Sequence, residues 1–261
     1  MLGPVGRAVV KPRARGVVGY AACILRFSSP YVCFRPMNPK QRAAEAASEF
    51  VKSGMVVGLG TGSTSECFLQ ILANELRTKR LRDIRGIATS LESERRAHEL
   101  GIPLTTLSQC PELDITVDGC DEVDPHLDLI KGLGGALLRE KIVAQHSKRL
   151  IIIADASKRV EVLGSRCPLP VEVTPFGHET HHAFFMSLGA APILRRTPEG
   201  APFMTDNGNH IYDCRFKRID DPTALEEKLL HRAGVVDCGL FLRVAQMALI
   251  ADEDSVQQIG R

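Results

Sequence analysis

Three apolar runs in this chain each end at a polar cluster, and that recurrence constrains the fold more than any other feature. Met55, Val56 and Val57 end at Gly58, Ile115 to Val117 end at Asp118, and Leu150 to Ala154 end at Asp155. Runs this short and this apolar suit strands buried on both faces. Between them lie segments with helical spacing. Ala43, Ala46, Ala47, Phe50 and Val51 repeat helically after Asn38 and Pro39, which form an N-cap followed by proline at the first helical position. Cys67, Phe68, Ile71, Leu72 and Leu76 share a face over 63–77, and further helices are expected over 93–100 and 136–146. Residues 84–88 read as another strand. Strands alternating with helices imply a parallel sheet with right-handed crossovers. In such a sheet ligands bind at the carboxyl ends of the strands. The three polar clusters therefore converge on one edge, whatever their chemistry.

Beyond Arg166 the pattern changes. Residues 168–175 form a proline-bounded strand, 180–188 a helix, and 191–196 a strand. Residues 203–214 read as two strands turned at Asp206, Asn207, Gly208 and Asn209. A helix over 221–233, opened by Asp221 and Pro222, and a last short strand over 239–242 complete a smaller α+β unit of split βαβ type. The fold class is α/β, with four expected segments: an extension over 1–36, a catalytic domain over 37–166, a small α+β domain over 167–238, and a return to the catalytic domain over 239–261.

Charge separates the extension from the rest. Residues 1–36 hold six Lys/Arg and no Asp/Glu. Removing those six positive charges from the total of +2 leaves −4 for residues 37–261, and a mildly acidic body argues against nucleic-acid backbone binding. The extension reads as a disordered segment before Met37. A targeting peptide is the alternative, since such segments are basic and poor in acids. The stretch Gly16 to Leu25 faintly resembles a secretory core, but Arg26 follows at once. No apolar run approaches the ~20 residues needed to span a bilayer. Cys23, Cys33, Cys67, Cys110, Cys120, Cys167, Cys214 and Cys238 are scattered and form no CxxC, so they read as reduced thiols of a cytoplasmic protein.

Gly58, Gly60 and Gly62, followed by Ser63 and Thr64, sit between a strand and a helix. Glycines let the backbone approach an anion, and the helix N-terminus offers N–H groups. The loop is neither a Walker A loop, which needs a lysine before the Ser/Thr, nor the GxGxxG dinucleotide turn. Lys158, just past the third strand end, is either an anion partner or a solvated surface lysine. Asp118, Asp121, Lys131 and Glu140 fall within 23 residues, separated by glycine turns. Such a set suits proton transfer between neighbouring carbons: a base placed over both, with a cation or acids near the oxygens where charge develops. Glu140 suits the base and Lys131 the cation. Asp118 and Asp121, three apart on a turn, suit a proton relay. The bland alternative makes them turn caps and surface pairs.

These motifs closely resemble the ribose-5-phosphate isomerase A family. The resemblance runs through Gly60–Thr64, Asp118–Glu122, Lys131–Gly134, Arg139–Lys141, Ala154–Lys158, Leu169–Val173, Thr205–Asn209 and Gly234–Phe241, in order, over roughly residues 38–255. It implies a Rossmann-like domain with a smaller ferredoxin-like domain. It also implies interconversion of D-ribose 5-phosphate and D-ribulose 5-phosphate through an enediolate, in the non-oxidative pentose phosphate pathway. No metal or cofactor is implied, and the partners implied are a sugar phosphate and a second copy in a homodimer. By resemblance Glu140 is the general base, with Asp118, Asp121 and Lys131 catalytic. Thr61, Gly62, Ser63, Thr64, Gly119, Cys120, Gly132, Leu133, Gly134 and Lys158 form the substrate- and phosphate-binding set. Cys120, Leu133 and Leu138 depart from the commoner family residues and bear on geometry rather than on the reaction.

Three rivals stand beside this. His178, Glu179 and His182 formally match the HExxH zinc motif, but the motif follows Pro175 to Gly177 in the smaller unit, far in sequence from the acid–base cluster. A non-catalytic sugar-phosphate sensor should lack the base, which this chain keeps. An amino-sugar phosphate deaminase or CoA transferase on the same scaffold would differ in substrate.

Overall fold

The computed structural model describes residues 38–260; the expectations for residues 1–37 lie outside that range. Helix α1 (Pro39–Ser48) is followed by β1 (Val56–Leu59), α2 (Ser63–Arg77), β2 (Arg85–Ala88), α3 (Leu91–Glu99) and β3 (Ile115–Asp118). Two short strands, β4 (Glu122–Val123) and β5 (Leu129–Ile130), precede α4 (Leu137–Gln145) and β6 (Leu150–Asp155). Next come β7 (Leu169–Val173), α5 (His181–Ser187), β8 (Ala191–Leu194), β9 (His210–Arg215), α6 (Pro222–Leu230) and β10 (Val235–Cys238). Strands β11 (Leu240–Phe241), β12 (Met247–Ala251) and β13 (Val256–Gly260) follow.

The main sheet has the order β13-β12-β6-β3-β1-β2. Every pairing is parallel except that of the edge strand β13. The α/β class follows from this sheet. Strand β6 shows why its sequence lacks alternation: Ile151 and Ile153 face one apolar cluster while Leu150 and Ile152 face another. Each fully buried isoleucine contributes ~1.5–3 kcal/mol. Ala43, Ala44 and Ala47 of α1 are fully buried in the first cluster, their small side chains bringing the helix close to β6 and β12. At its start the Asn38 side chain accepts from Lys40 N–H at 3.0 Å, and Pro39 occupies the first turn.

Strands β7 to β10 form a second, antiparallel sheet in the order β10-β7-β9-β8. Helix α5 connects β7 to β8 and α6 connects β9 to β10, giving the βαββαβ order of a ferredoxin-like unit. Strands β11, β5 and β4 make a third, small antiparallel sheet.

Two sequence expectations are corrected. The strand near 239–242 is not the last. After it β12, buried along its whole length, pairs in parallel with β6, and β13 covers its outer edge. Residues 203–209 are not a strand, because β8 takes the place beside β9 and the Thr205–Asn209 turn folds back on itself, with Asn209 O accepting from Thr205 N–H at 2.8 Å. The helix expected over 180–188 forms as α5 from His181, and a separate 3-10 turn, His178–Thr180, precedes it. His178 and His182 thus do not share one regular helix, and His178 Nδ1 lies 3.2 Å from the Tyr212 hydroxyl.

Candidate active site

The site forms at the carboxyl ends of β1, β3 and β6, and close packing explains its glycines. A Cβ on Gly58 would lie 1.9 Å from Thr116 Oγ1, and one on Gly60 would lie 2.2 Å from Asp118 Oδ1. Only glycine lets β1 run this close to β3. Gly62, with φ +100°, then turns the chain into α2. The Thr61 hydroxyl points away to Thr89, Ser90 and Ser93, leaving its backbone at the cavity.

Asp118 is 1% exposed and fully engaged. Its Oδ1 accepts from Thr61 N–H at 3.1 Å, Gly119 N–H at 2.7 Å and Ser65 Oγ at 3.3 Å. Its Oδ2 lies 3.0 Å from Lys131 Nζ. Lys131, 3% exposed, also donates to Gly119 O at 2.6 Å and faces Glu140 Oε2 at 3.4 Å. Lys131 owes its place to β5, which ends one residue earlier, and to a bond from its N–H to Gly239 O at 2.9 Å. Glu140 is 5% exposed in the first turn of α4, where its N–H donates to Ala136 O at 3.0 Å. Asp121 Oδ2 accepts from Leu133 N–H at 2.9 Å. The site therefore holds one buried cation between two buried carboxylates, with a third carboxylate at its rim.

Burial pushes the Glu140 carboxyl up to about 8; Lys131 pulls it down, while Asp118 and Asp121 add to the rise. Burial works against the Lys131 charge as well, but the Asp118 and Glu140 carboxylates outweigh it and hold this ammonium well above the ordinary lysine value. Apart from the Lys131 ammonium at 3.4 Å, Glu140 Oε2 has no partner among the described residues. A buried acceptor in that condition carries a desolvation cost that a substrate hydroxyl or C–H can relieve.

These groups line a cavity of about 130 Å³ together with Thr61 to Thr64, Gly119, Cys120, Gly132, Gly134 and Lys158. Asp118 stands one layer behind it, and Leu133 lies beside it, half exposed. Burial pushes the Cys120 thiol up to about 12, which disfavours the thiolate. One lining residue is absent from the set expected on sequence grounds. Lys40, in the first turn of α1, reaches across to donate to Ser63 Oγ at 2.8 Å. Its only sequence signal is a lysine beside a helix cap. Glu122, adjacent to Asp121 in the motif, instead accepts N–H bonds from Gly164, Arg166 and Cys167 at 2.6 to 2.7 Å and holds the chain leading to β7.

Residues 85–255 match the family model for ribose 5-phosphate isomerase A (phosphoriboisomerase A). The chain is 51% identical over 220 residues to a ribose-5-phosphate isomerase A from Roseiflexus castenholzii, covering 84% of this chain and 94% of that protein. It is 48% identical over 221 residues to one from a Synechococcus strain, with 84% and 96% covered. Among solved structures, the ribose 5-phosphate isomerase of Plasmodium falciparum superposes with a TM-score of 0.82 at 40% identity, over 86% of this chain and 99% of that one. A D-ribose-5-phosphate isomerase in complex with phospho-erythronic acid superposes with a TM-score of 0.84 at 38% identity, over 86% and 100%. Matches of this extent leave one conclusion: the chain belongs to the ribose-5-phosphate isomerase A family.

Proposed function

We propose that this protein interconverts D-ribose 5-phosphate and D-ribulose 5-phosphate through an enediolate. The observation that carries the proposal is Lys131, a buried ammonium between the Asp118 and Glu140 carboxylates, at the wall of a cavity also lined by a glycine turn, Lys40 and Lys158. A base, a cation for a developing oxyanion and an anion-holding turn are what an aldose–ketose isomerisation of a phosphorylated sugar requires.

In the ring-opened aldose, Glu140 takes the proton from C2. The electron pair forms the C1–C2 double bond, and charge moves to the C1 oxygen, where Lys131 stabilises it. Glu140 returns its proton to C1, the C2 hydroxyl proton passes to the C1 oxygen, and the ketose results. Asp121, at the rim, is placed to pass protons between the hydroxyls or to help open the ring. The engaged oxygens of Asp118 suit it to hold Lys131 in line rather than to carry protons. Ser63, Thr64, the backbone of Thr61 and Gly62, Lys40 and Lys158 take the phosphate. Gly119, Cys120, Gly132 and Gly134 shape the space between. A relative that holds phospho-erythronic acid, a phosphorylated acid whose planar carboxylate resembles an enediolate end, supports this reading.

The proposal extends to a homodimer working in the cytoplasm. Support for the compartment is the set of unpaired thiols at Cys67, Cys110, Cys120, Cys167, Cys214 and Cys238. Among the described residues no helix is long and apolar enough to cross a membrane. We also treat residues 167–238 as a separate small domain beside the catalytic one. The test is conversion of ribose 5-phosphate to ribulose 5-phosphate by the purified protein, with Glu140→Gln alongside. Turnover by wild type and its loss in the variant are expected. A folded wild type that converts nothing would overturn the reading.

A further inference from the structure

The peptide unit joining Gly132 to Leu133 is gripped at both poles by charged groups. Its N–H, on Leu133, donates to Asp121 Oδ2 at 2.9 Å. Its carbonyl, on Gly132, accepts from Arg195 Nη1 at 3.2 Å. The same nitrogen also donates to Leu133 O at 3.1 Å. Arg195 comes from the second sheet, one residue past β8, and its own position is fixed. Its Nε and Nη2 fork onto Asp213 at 2.9 and 2.5 Å, and its guanidinium lies over the Phe203 ring at 5.6 Å. Phe203 in turn packs where a Cβ on Gly135 would stand, 2.7 Å away. Arg195, Asp213 and Phe203 lie outside the cavity.

The peptide needs such a grip because Gly132 has φ +104° and Gly135 has φ +86°. Glycine at 132 lets that side of the peptide turn at little steric cost, and the turn's own bond, from Gly135 N–H to Gly132 O at 3.0 Å, holds only the carbonyl pole. If the peptide flipped, a carbonyl oxygen would replace the N–H in front of Asp121, and two acceptors would face each other. Lys131 and Glu140 sit at the two ends of the segment that this loop begins, so its orientation matters to both.

We propose that Arg195 is a positioning residue for the isomerisation. Reaching in from the antiparallel sheet, it locks the Gly132–Leu133 peptide with its N–H toward Asp121 and so sets the direction of that carboxylate. The proposal rests on the role given to Asp121 under the proposed function. It also explains one contribution of the second sheet to catalysis: a bidentate arginine that the parallel sheet does not supply.

The test compares wild type, Arg195→Lys, Arg195→Ala, Asp121→Asn and the Arg195→Lys/Asp121→Asn double variant. Arg195→Lys keeps the charge but cannot hold the Asp213 fork and the loop carbonyls together. Its kcat should fall about 10–100-fold, the scale expected when a reacting group is misplaced by about 1 Å. KM for ribose 5-phosphate should stay within about threefold, since Arg195 bonds to Asp213, Gly132 and Leu133 and not to the phosphate-holding residues. Because Arg195 acts through Asp121, the double variant should turn over no more slowly than Asp121→Asn alone. In NMR spectra the Leu133 amide should lose hydrogen-exchange protection in both Arg195 variants. An Arg195→Lys enzyme with wild-type kcat, multiplied losses in the double variant, or an unchanged Leu133 amide would each overturn the lock. A wild type that does not isomerise ribose 5-phosphate would instead break the functional reading, and the Leu133 amide would still decide whether the lock exists.

Discussion

Two glycine turns line the cavity, and they are supported in different ways. The turn over Gly58–Gly62 is held by its own sheet: β3 packs against it so tightly that a methyl group at Gly58 or Gly60 would overlap Thr116 or Asp118. The turn over Gly132–Gly135 is held from a distance by Asp121, Gly239 O and Arg195. In the first turn Gly58 and Gly60 answer to close approach and Gly62 to positive φ, at separate positions. In the second, Gly132 and Gly135 each combine positive φ with close approach, to Leu137 and Phe203, and a Gly135 N–H to Gly132 O bond at 3.0 Å is reinforced by remote side chains. Similar composition therefore conceals two physical demands, and substitutions at the two turns should behave differently.

The largest expected effect tests what both turns serve. Glu140→Gln keeps the shape of the side chain and removes the base, so kcat should fall ~10²–10⁴-fold with substrate binding largely kept. Near-normal kcat would remove Glu140 from the role. Next, Gly60→Ala forces a methyl group into Asp118 and should lower stability by ~1–3 kcal/mol, the usual range for overpacking, read as a lower denaturation midpoint in urea. An unchanged midpoint would show that the first turn is looser than its contacts imply. Lys158→Ala and Lys40→Ala each remove a cation from the cavity lining. Each should raise KM by about 10-fold, a typical scale for losing one hydrogen bond to a charged group, with kcat little changed. A fall in kcat at constant KM would move that lysine to the reacting carbons.

Activity against pH sharpens the contrast from the other end. The base must be ionised to accept a proton, and burial raises Glu140 to about 8. kcat/KM should therefore climb up to ~tenfold per pH unit below that value and level off above it. A profile flat from pH 6 to about 9 would show that Lys131 holds Glu140 ionised far more strongly than burial opposes it. The smallest effect is expected at Gly134→Ala. A Cβ there meets only Thr61 Cγ2 at 3.9 Å, and its φ is not positive. Turnover and stability should stay close to wild type, within about twofold and ~0.5 kcal/mol. A severe loss would mean that the second turn is as tightly packed as the first.

Much of the site is legible in the amino-acid sequence. Asp118, Asp121, Lys131 and Glu140 carry their signal in residue type and spacing, because charges between buried strands and glycine turns are costly unless used. Lys40 is not legible, since a lysine in the first turn of a helix is ordinary and only the packing of α1 against α2 brings it to Ser63. Arg195 is hidden for a related reason: its partners lie 18 and 63 residues away in sequence. Strand β12 gives no clear signal although Met247–Ala251 is wholly apolar, because a short apolar run after an apparently finished unit offers no periodicity to fix its place. The hairpin expected over 203–214 does not form because a turn signal does not say which neighbour a strand prefers, and β8 takes the edge of β9.

By itself, then, the sequence determined the class of the fold, the convergence of the polar clusters on one edge of a parallel sheet, and the chemical types needed to move a proton beside a phosphate. These follow from local rules: periodicity, strand ends, glycine turns and the cost of burying charge. Only the tertiary structure decided that Asp118 stands behind Lys131, that Glu122 is turned away to hold the chain to β7, and that an arginine of the second sheet grips the loop between β5 and α4. Those choices depend on contacts between residues far apart in the chain, and no local pattern records which of several equally acceptable partners the packed core brings within hydrogen-bond reach.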